Sequence, residues 1–239
     1  MKHLDLSLPS PAENLACDEA LLDWREENDG EEILRFWESP KTFVVVGYAN
    51  KIATEVNIEN CRAKQTPIFR RCSGGGTVLQ GAGCLNYALI LRITEDGPCR
   101  TITSANEFIM EKNRAAIETL LKSKIFVRGH TDLALDGLKS SGNSQRRKKN
   151  FLLFHGTFLL NFNLALVAAF LKMPSKQPDY RASRSHGEFL TNLNLLADTV
   201  KTALKQSWNA IEELKGFPKQ EIQKLAMQKY STDEWNFKL

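Results

Sequence analysis

The sequence predicts an α+β fold. Strand-like runs crowd the first two-thirds of the chain, helical periodicity dominates the last third, and the strict strand–helix alternation of a doubly wound sheet is missing. At 239 residues, the chain has the length of one large domain, or of one domain with a small appendage. It is long enough to bury a core without disulfides or metals.

The elements follow in order. Ser10-Pro11-Ala12-Glu13 is a helix start: serine caps, proline suits the first helical position, and glutamate closes a capping box. Leu15, Leu21 and Leu22 give that helix an apolar face to about Trp24. Strand patterns follow at residues 33–37, 42–47, 67–71 and 85–92. Residues 103–122 predict a helix with Phe108, Ile109, Ala116, Ile117, Leu120 and Leu121 inward. Short strands at 124–127 and 131–135 precede Asp136-Gly137, a hairpin turn signal. Residues 151–161 read as a strand pair interrupted at His155-Gly156. A helix over 164–171, an irregular basic loop over 173–189, and helices near 197–208 and 218–230 complete the chain, without an internal repeat.

Composition narrows the function classes. At 42% hydrophobic and 25% charged residues, the chain is neither disordered, collagenous nor a coiled-coil rod. The 32 basic and 28 acidic residues leave +4, too weak a surplus to indicate a nucleic-acid binder. Five cysteines, at 17, 61, 72, 84 and 99, are odd in number and lack CxxC spacing, so they suggest neither a disulfide frame nor a zinc site. A reducing, cytoplasmic setting fits them best. The first residues hold no secretory apolar stretch, and no run approaches the ~20 apolar residues that span a bilayer.

Three segments could carry chemistry. Arg70-Arg71-Cys72-Ser73-Gly74-Gly75-Gly76-Thr77-Val78 follows a strand signal. Three glycines let backbone approach a ligand closely, and two arginines offer fixed cations for phosphate or carboxylate. Neither the Walker pattern nor G-x-G-x-x-G is present. The plain alternative is a flexible turn beside surface arginines. In Thr131–Gln145, TDLALDGLKSSGNSQ, Lys139 stands among small polar residues where it could meet a phosphate or acyl carbonyl. Taken alone, it is more simply a solvated hairpin lysine. His155-Gly156-Thr157 interrupts an apolar run and alone is more simply a strand histidine.

In combination these pieces resemble one family. RRCSGGGTV, GCLNYAL, TDLALDGLKSSGNSQ and FHGTFLLN, in that order over roughly ninety residues, look like the lipoate–protein ligases within the biotin/lipoate ligase fold. FWESPKTFVVVGYANK resembles that family's opening strands, and KYSTDEWNF the end of its catalytic domain. The resemblance implies mixed sheets flanked by helices, with a bent substrate groove. It implies that a lipoic acid carboxylate attacks the α-phosphorus of ATP, and that the acyl group then passes to a carrier lysine. The implied carriers are lipoyl domains of 2-oxoacid dehydrogenases and the glycine cleavage H protein.

It also implies roles. Lys139 would contact the carbonyl and phosphate of the mixed anhydride, acting electrostatically. Arg70 would lie beside the carboxyl and α-phosphate. Ser73, Gly74, Gly75, Gly76 and Thr77 would bring the loop to the acyl-phosphate, with Gly142 and Asn143 nearby. His155, Gly156 and Thr157 would line the groove near the adenylate, and Trp37, Val78 and Tyr87 would wall the acyl tail. Asp132 would stand near Mg²⁺ and the phosphates. The family often has Asn where Thr131 stands here. Arg181, Arg184 and His186, in QPDYRASRSHGEFL, could meet nucleotide or carrier, although a solvated connecting loop is the simpler reading.

Rival functions remain. Octanoyl transferases of the superfamily use a cysteine thioester and no ATP, or the chain could act on a preformed acyl-adenylate. The ligase-like transferases carry that cysteine shortly before the lysine motif, and residues 127–138 contain none. Cys72 and Cys84 read as small buried residues. Biotin ligation fits less well, because its adenylate loop has a different order. A non-catalytic nucleotide- or nucleic-acid-binding protein could use the basic run Arg146–Lys149, which reads more simply as a hairpin tip facing an acidic carrier. The family-like segments fill residues 1–239 as one catalytic domain, with no C-terminal accessory domain. The chain is therefore expected to act alone or with a separate accessory-domain protein, and without nucleic acid or membrane.

Overall fold

The computed structural model describes residues 1–174 and 176–239; Ser175, within the 173–189 loop, lies outside them. The strands are β1 (Lys2–Asp5), β2 (Ile33–Glu38), β3 (Phe43–Val46), β4 (Ile68–Arg70), β5 (Val78–Gln80), β6 (Cys84–Arg92), β7 (Ile125–Arg128), β8 (Asp132–Leu135), β9 (Leu138–Lys139), β10 (Ser141–Arg147) and β11 (Phe151–Leu159). The helices are α1 (Pro11–Asn28), α2 (Ile52–Glu55), α3 (Ile58–Ala63), α4 (Ile102–Glu118), α5 (Ala165–Phe170), α6 (His186–Phe189), α7 (Ala197–Ser207), α8 (Lys219–Leu225) and α9 (Asp233–Asn236).

A mixed five-stranded sheet, ordered β1-β2-β6-β11-β10, forms the centre. Only β1 and β2 run parallel in it. Its strands alternate between two cores. Leu34, Phe36, Leu89 and Leu91 pack under α4 and α7, whereas Ile33, Trp37, Ala88 and Ile90 pack against α1 and α8. A small sheet, β4-β3-β5, leans on α5, and β7-β8-β9 forms a third sheet. The expected α+β class with mixed sheets and flanking helices is thus observed.

The start of α1 is as expected. Ser10 caps it, Glu13 closes the box and Pro11 takes the first position. The helix runs to Asn28 rather than Trp24 and buries polar residues on its inner face: Asn14, Asp18 and Glu19. Arg35 on β2 explains this pattern. It is fully buried and donates to Asn14 Oδ1 at 2.7 Å and Asp18 Oδ1 at 2.5 Å.

Three expectations need correction. β11 is one uninterrupted strand, because His155 and Gly156 keep the ladder with Ala88 and Tyr87. The small polar residues after Lys139 form β10, which pairs along its length with β11. The basic run lies at the β10–β11 turn but is not a free cationic tip. Arg146 reaches Glu19 at 3.4 Å, Arg147 donates to the Cys99 carbonyl at 2.7 Å, and Lys148 meets Asp23 at 2.7 Å. Among the described residues, no helix is long and apolar enough to cross a membrane.

Candidate active site

A cavity of about 800 Å³ opens between the central sheet, the small β3 sheet, the β8–β9 hairpin and the segment from Pro174 to Leu190. Asp136 and Gly137 close the hairpin with φ of 51° and 77°, as the turn signal required. The turn returns β9 alongside β8 and sets Lys139 opposite Ala134. The lysine stem runs past Gly142, and Nζ sits 2.8 Å from Asp132 Oδ1. The other carboxylate oxygen accepts a 2.8 Å bond from the Tyr180 hydroxyl. Thr131 clasps the neighbouring Asn143, whose Nδ2 donates to the Thr131 carbonyl at 2.5 Å.

The glycine loop places its two arginines differently from the expectation. Arg71 lines the cavity and Arg70 does not. Arg70 is fully buried and donates to the carbonyls of Gly47, Tyr48 and Asn50 at 2.9, 3.1 and 2.8 Å. Alternation along an extended chain turned one arginine into a structural clamp and the other toward the cavity. Arg71 donates to Ser73 Oγ at 3.1 Å, to the Gly76 carbonyl at 2.8 Å and to the Gly74 carbonyl. None of these partners is a carboxylate, so burial pushes the guanidinium down to about 10. The loop packs directly on β3's end: a Cβ on Gly47 would lie 2.0 Å from the Gly75 carbonyl oxygen. Gly76, Thr77 and Val78 line the cavity, while Ser73 is buried and Gly74 and Gly75 are exposed outside its lining.

Ser73 anchors the loop. Its Oγ is 2.6 Å from His155 Nε2, and His155 Nδ1 is 3.0 Å from Asp18 Oδ2. The imidazole thus bridges the Asp18 carboxylate and the Ser73 hydroxyl. Burial alone would raise the Asp18 carboxyl, but the Arg35 charge and the His155 bond overcome it and hold Asp18 below the usual range. The outline is that of a Ser-His-Asp triad. However, Ser73 is 1% exposed and faces the loop, not the cavity, so its hydroxyl is a joint rather than a free nucleophile.

Across the sheet from Gly142 come Thr157, Asn86 and Trp37 in register. Gln80 Nε2 donates to Thr157 Oγ1, which donates to Asn86 Oδ1, both at 2.6 Å. Trp37 and Val78 border this region, with the Trp37 ring stacked near Phe43. The expected apolar slot thus has a polar floor. Tyr87 lies deeper, and its OH donates to Asn143 Oδ1 at 2.7 Å. Burial raises this phenol well above its ordinary value, so it stays neutral. Gly156 exists for the same contact: a Cβ there would lie 1.7 Å from Asn143 Oδ1.

The 177–190 loop is not the solvated connector that was the simpler reading. Arg181 and His186 are buried and line the cavity together with Tyr180, while Arg184 does not line it. The Asp18 carboxylate, Gln80, Asn86 and Tyr180 were missed as site residues, and Arg71 rather than Arg70 is the arginine of the pair that lines the cavity. Polar residues on the inner side of α1 were the one signal available in the sequence.

All five cysteines are free and buried, and none lines the cavity among the described residues. Burial pushes the Cys72 and Cys84 thiols up to about 12. Among the described residues, no group of three or more His, Cys, Asp or Glu could hold a metal ion. Asp132, the residue expected near magnesium, meets Lys139 with one oxygen and Tyr180 with the other.

This combination is an α+β scaffold of mixed sheets that holds a cavity lined by Lys139, Arg71 and the Gly76–Val78 segment. Residues 10–209 match the lipoyl protein ligase A/B catalytic domain, and the chain belongs to that family. It is an enzyme of the lipoate ligase/transferase group, whose members act on lipoyl-carrier proteins. It is 25% identical over 272 aligned residues to octanoyltransferase LipM of Geobacillus kaustophilus, covering 99% of this chain and 98% of that one. It is 27% identical over 244 residues to a protein described as probable lipoate-protein ligase A of Mycoplasma genitalium, covering 95% of this chain and 69% of that one. In fold it resembles a lipoate-protein ligase A bound with ATP, with TM-score 0.80, 23% identity and 99% coverage of both chains. A bi-partite lipoate protein ligase of Thermoplasma acidophilum, described with its E2 lipoyl domain, also gives TM-score 0.80, at 24% identity and with 99% and 95% coverage.

Proposed function

We propose that this chain is an ATP-dependent lipoate–protein ligase. In the first step a lipoate carboxylate oxygen attacks the α-phosphorus of ATP, with the magnesium carried in on the nucleotide, and pyrophosphate leaves. In the second, a carrier lysine amine attacks the acyl carbonyl, losing a proton as AMP departs. The carrier is a lipoyl domain or an H-protein-like domain.

The observation that carries this reading is the pairing of a cationic cavity with cysteine-free walls. Two anions must meet in the first step, and Lys139 and Arg71 supply fixed positive charge where they do. The Gly76–Val78 backbone approaches the same place. Val78, Trp37 and the Gln80–Thr157–Asn86 floor take the acyl tail. His155, through Ser73, holds the glycine loop at one height above the sheet.

A thioester route needs a thiolate facing the substrate, and the buried, high-pKa cysteines do not offer one. The likeness to octanoyltransferases keeps a second reading in view: acyl transfer without ATP, or from a preformed adenylate. ATP–pyrophosphate exchange separates them. Exchange that depends on lipoate or octanoate supports the ligase, and its absence alongside acyl transfer from a carrier or an adenylate supports the second reading.

A further inference from the structure

Asp132 and Lys139 face a problem that the cavity itself poses. The Lys139 ammonium is paired with Asp132 Oδ1 at 2.8 Å. To serve a reacting carboxylate or phosphate, the ammonium must leave that oxygen. The Asp132 side chain is only 12% exposed, so water compensates it poorly.

Tyr180 supplies the missing partner. Its hydroxyl donates to Oδ2 at 2.8 Å, on the side opposite the lysine. Its ring lies 5.1 Å from that of Phe189 and rests beside Gly129, so the hydroxyl is held in place. The same segment is tied to the lysine's own strand, because the Thr191 N–H donates to the Lys139 carbonyl at 2.9 Å. Burial and the neighbouring Asp132 charge raise the phenol, while Arg184 and Arg181 oppose this only in part, so the hydroxyl remains a donor.

We propose that Tyr180 is a positioning residue for Lys139 acting through Asp132: its hydroxyl stays on the carboxylate while the ammonium swings to the reacting acyl group. The swing rests on the ligase reading, but the Tyr180–Asp132–Lys139 coupling does not. Without the hydroxyl, Asp132 grips the ammonium harder and the release is slower.

The test is a double-mutant cycle of Tyr180→Phe and Asp132→Asn with two readouts. Tyr180→Phe is expected to lower kcat for adenylate formation about tenfold, the cost of one hydrogen bond to a charge, with the acid's KM within about twofold. In the Asp132→Asn background the same change is expected to do nothing further. The second readout uses no substrate. Reductive methylation of Lys139, followed by mass spectrometry, is expected to slow several-fold in Tyr180→Phe and to be equal in the two proteins that carry Asp132→Asn. Equal losses in both backgrounds would show a packing role only and overturn the proposal, as would unchanged labelling in Tyr180→Phe. If the wild type forms no adenylate, the ligase reading falls, while the labelling cycle still decides the coupling.

Discussion

His155 Nε2 lies 2.6 Å from Ser73 Oγ, and this contact fastens the glycine loop to the central sheet. Behind it the chain of partners continues through Asp18 to the buried Arg35. The site's geometry is thereby wired into the α1–β2 core, where Arg35 is fully buried.

Ser73→Ala is expected to keep the fold and to lower adenylate formation about tenfold, the cost of the His155 contact together with the bond accepted from Arg71. A serine that carried the acyl group would instead lose all turnover and leave a trapped ester in the wild type. Intact-protein mass spectrometry after rapid quenching tells the two apart.

Asp18 gives the protein an acid limit. Its carboxyl is held below the ordinary value in the fold. The sign follows: the stabilisation is present above the unfolded carboxylate's pKa and is lost as pH falls through the folded one. Asp18→Asn is expected to flatten the acid side of the stability profile. It should also destabilise the fold by about 3–5 kcal/mol at neutral pH, because Arg35 is left as an unpaired buried charge. Urea unfolding at several pH values measures both effects.

The two adjacent arginines are expected to separate cleanly. Arg70→Ala strips the donor from the buried Gly47 carbonyl and from the part-buried Tyr48 and Asn50 carbonyls, and should lower the melting temperature strongly. Arg71→Ala is expected to cost adenylate formation about 10²-fold, in line with loss of one aimed cation at a charge-building step. Thermal melts and pyrophosphate exchange on the two variants should rank them in opposite orders.

Lys139→Ala is expected to abolish adenylate formation, by about 10²–10³-fold, with the melting curve retained. Cys72→Ser and Cys84→Ser, by contrast, should stay active, because neither thiol reaches the cavity. Normal exchange in the lysine variant, or a dead cysteine variant with a trapped thioester, would reverse the assignment.

Much of this was legible in residue order. The capped start of α1 and the Asp136-Gly137 turn depend on local rules and stand where their signals lie, and α4 buries Ile109, Ala116 and Ile117 as its spacing predicts but ends at Glu118, before Leu120 and Leu121. β10 was hidden because Ser141–Ser144 carry turn chemistry; their strand state comes from pairing with β11, a contact across the turn. The segment around Tyr180 reads as a polar linker because its anchors, Asp132 and Phe189, lie elsewhere or beyond it in sequence. Arg70 and Arg71 look interchangeable in one dimension. Only the clamp on Gly47–Asn50 shows which of them faces inward.

The most direct measurement is the mass of a carrier domain after incubation with this protein and either lipoate, with and without Mg·ATP, or an octanoyl acyl-carrier donor without ATP. A lipoyl gain on one lysine that appears only with ATP, and is lost in Lys139→Ala, is the expected result. A gain that needs no ATP and is drawn from an acyl-carrier donor would contradict the ligase reading and make the chain a transferase.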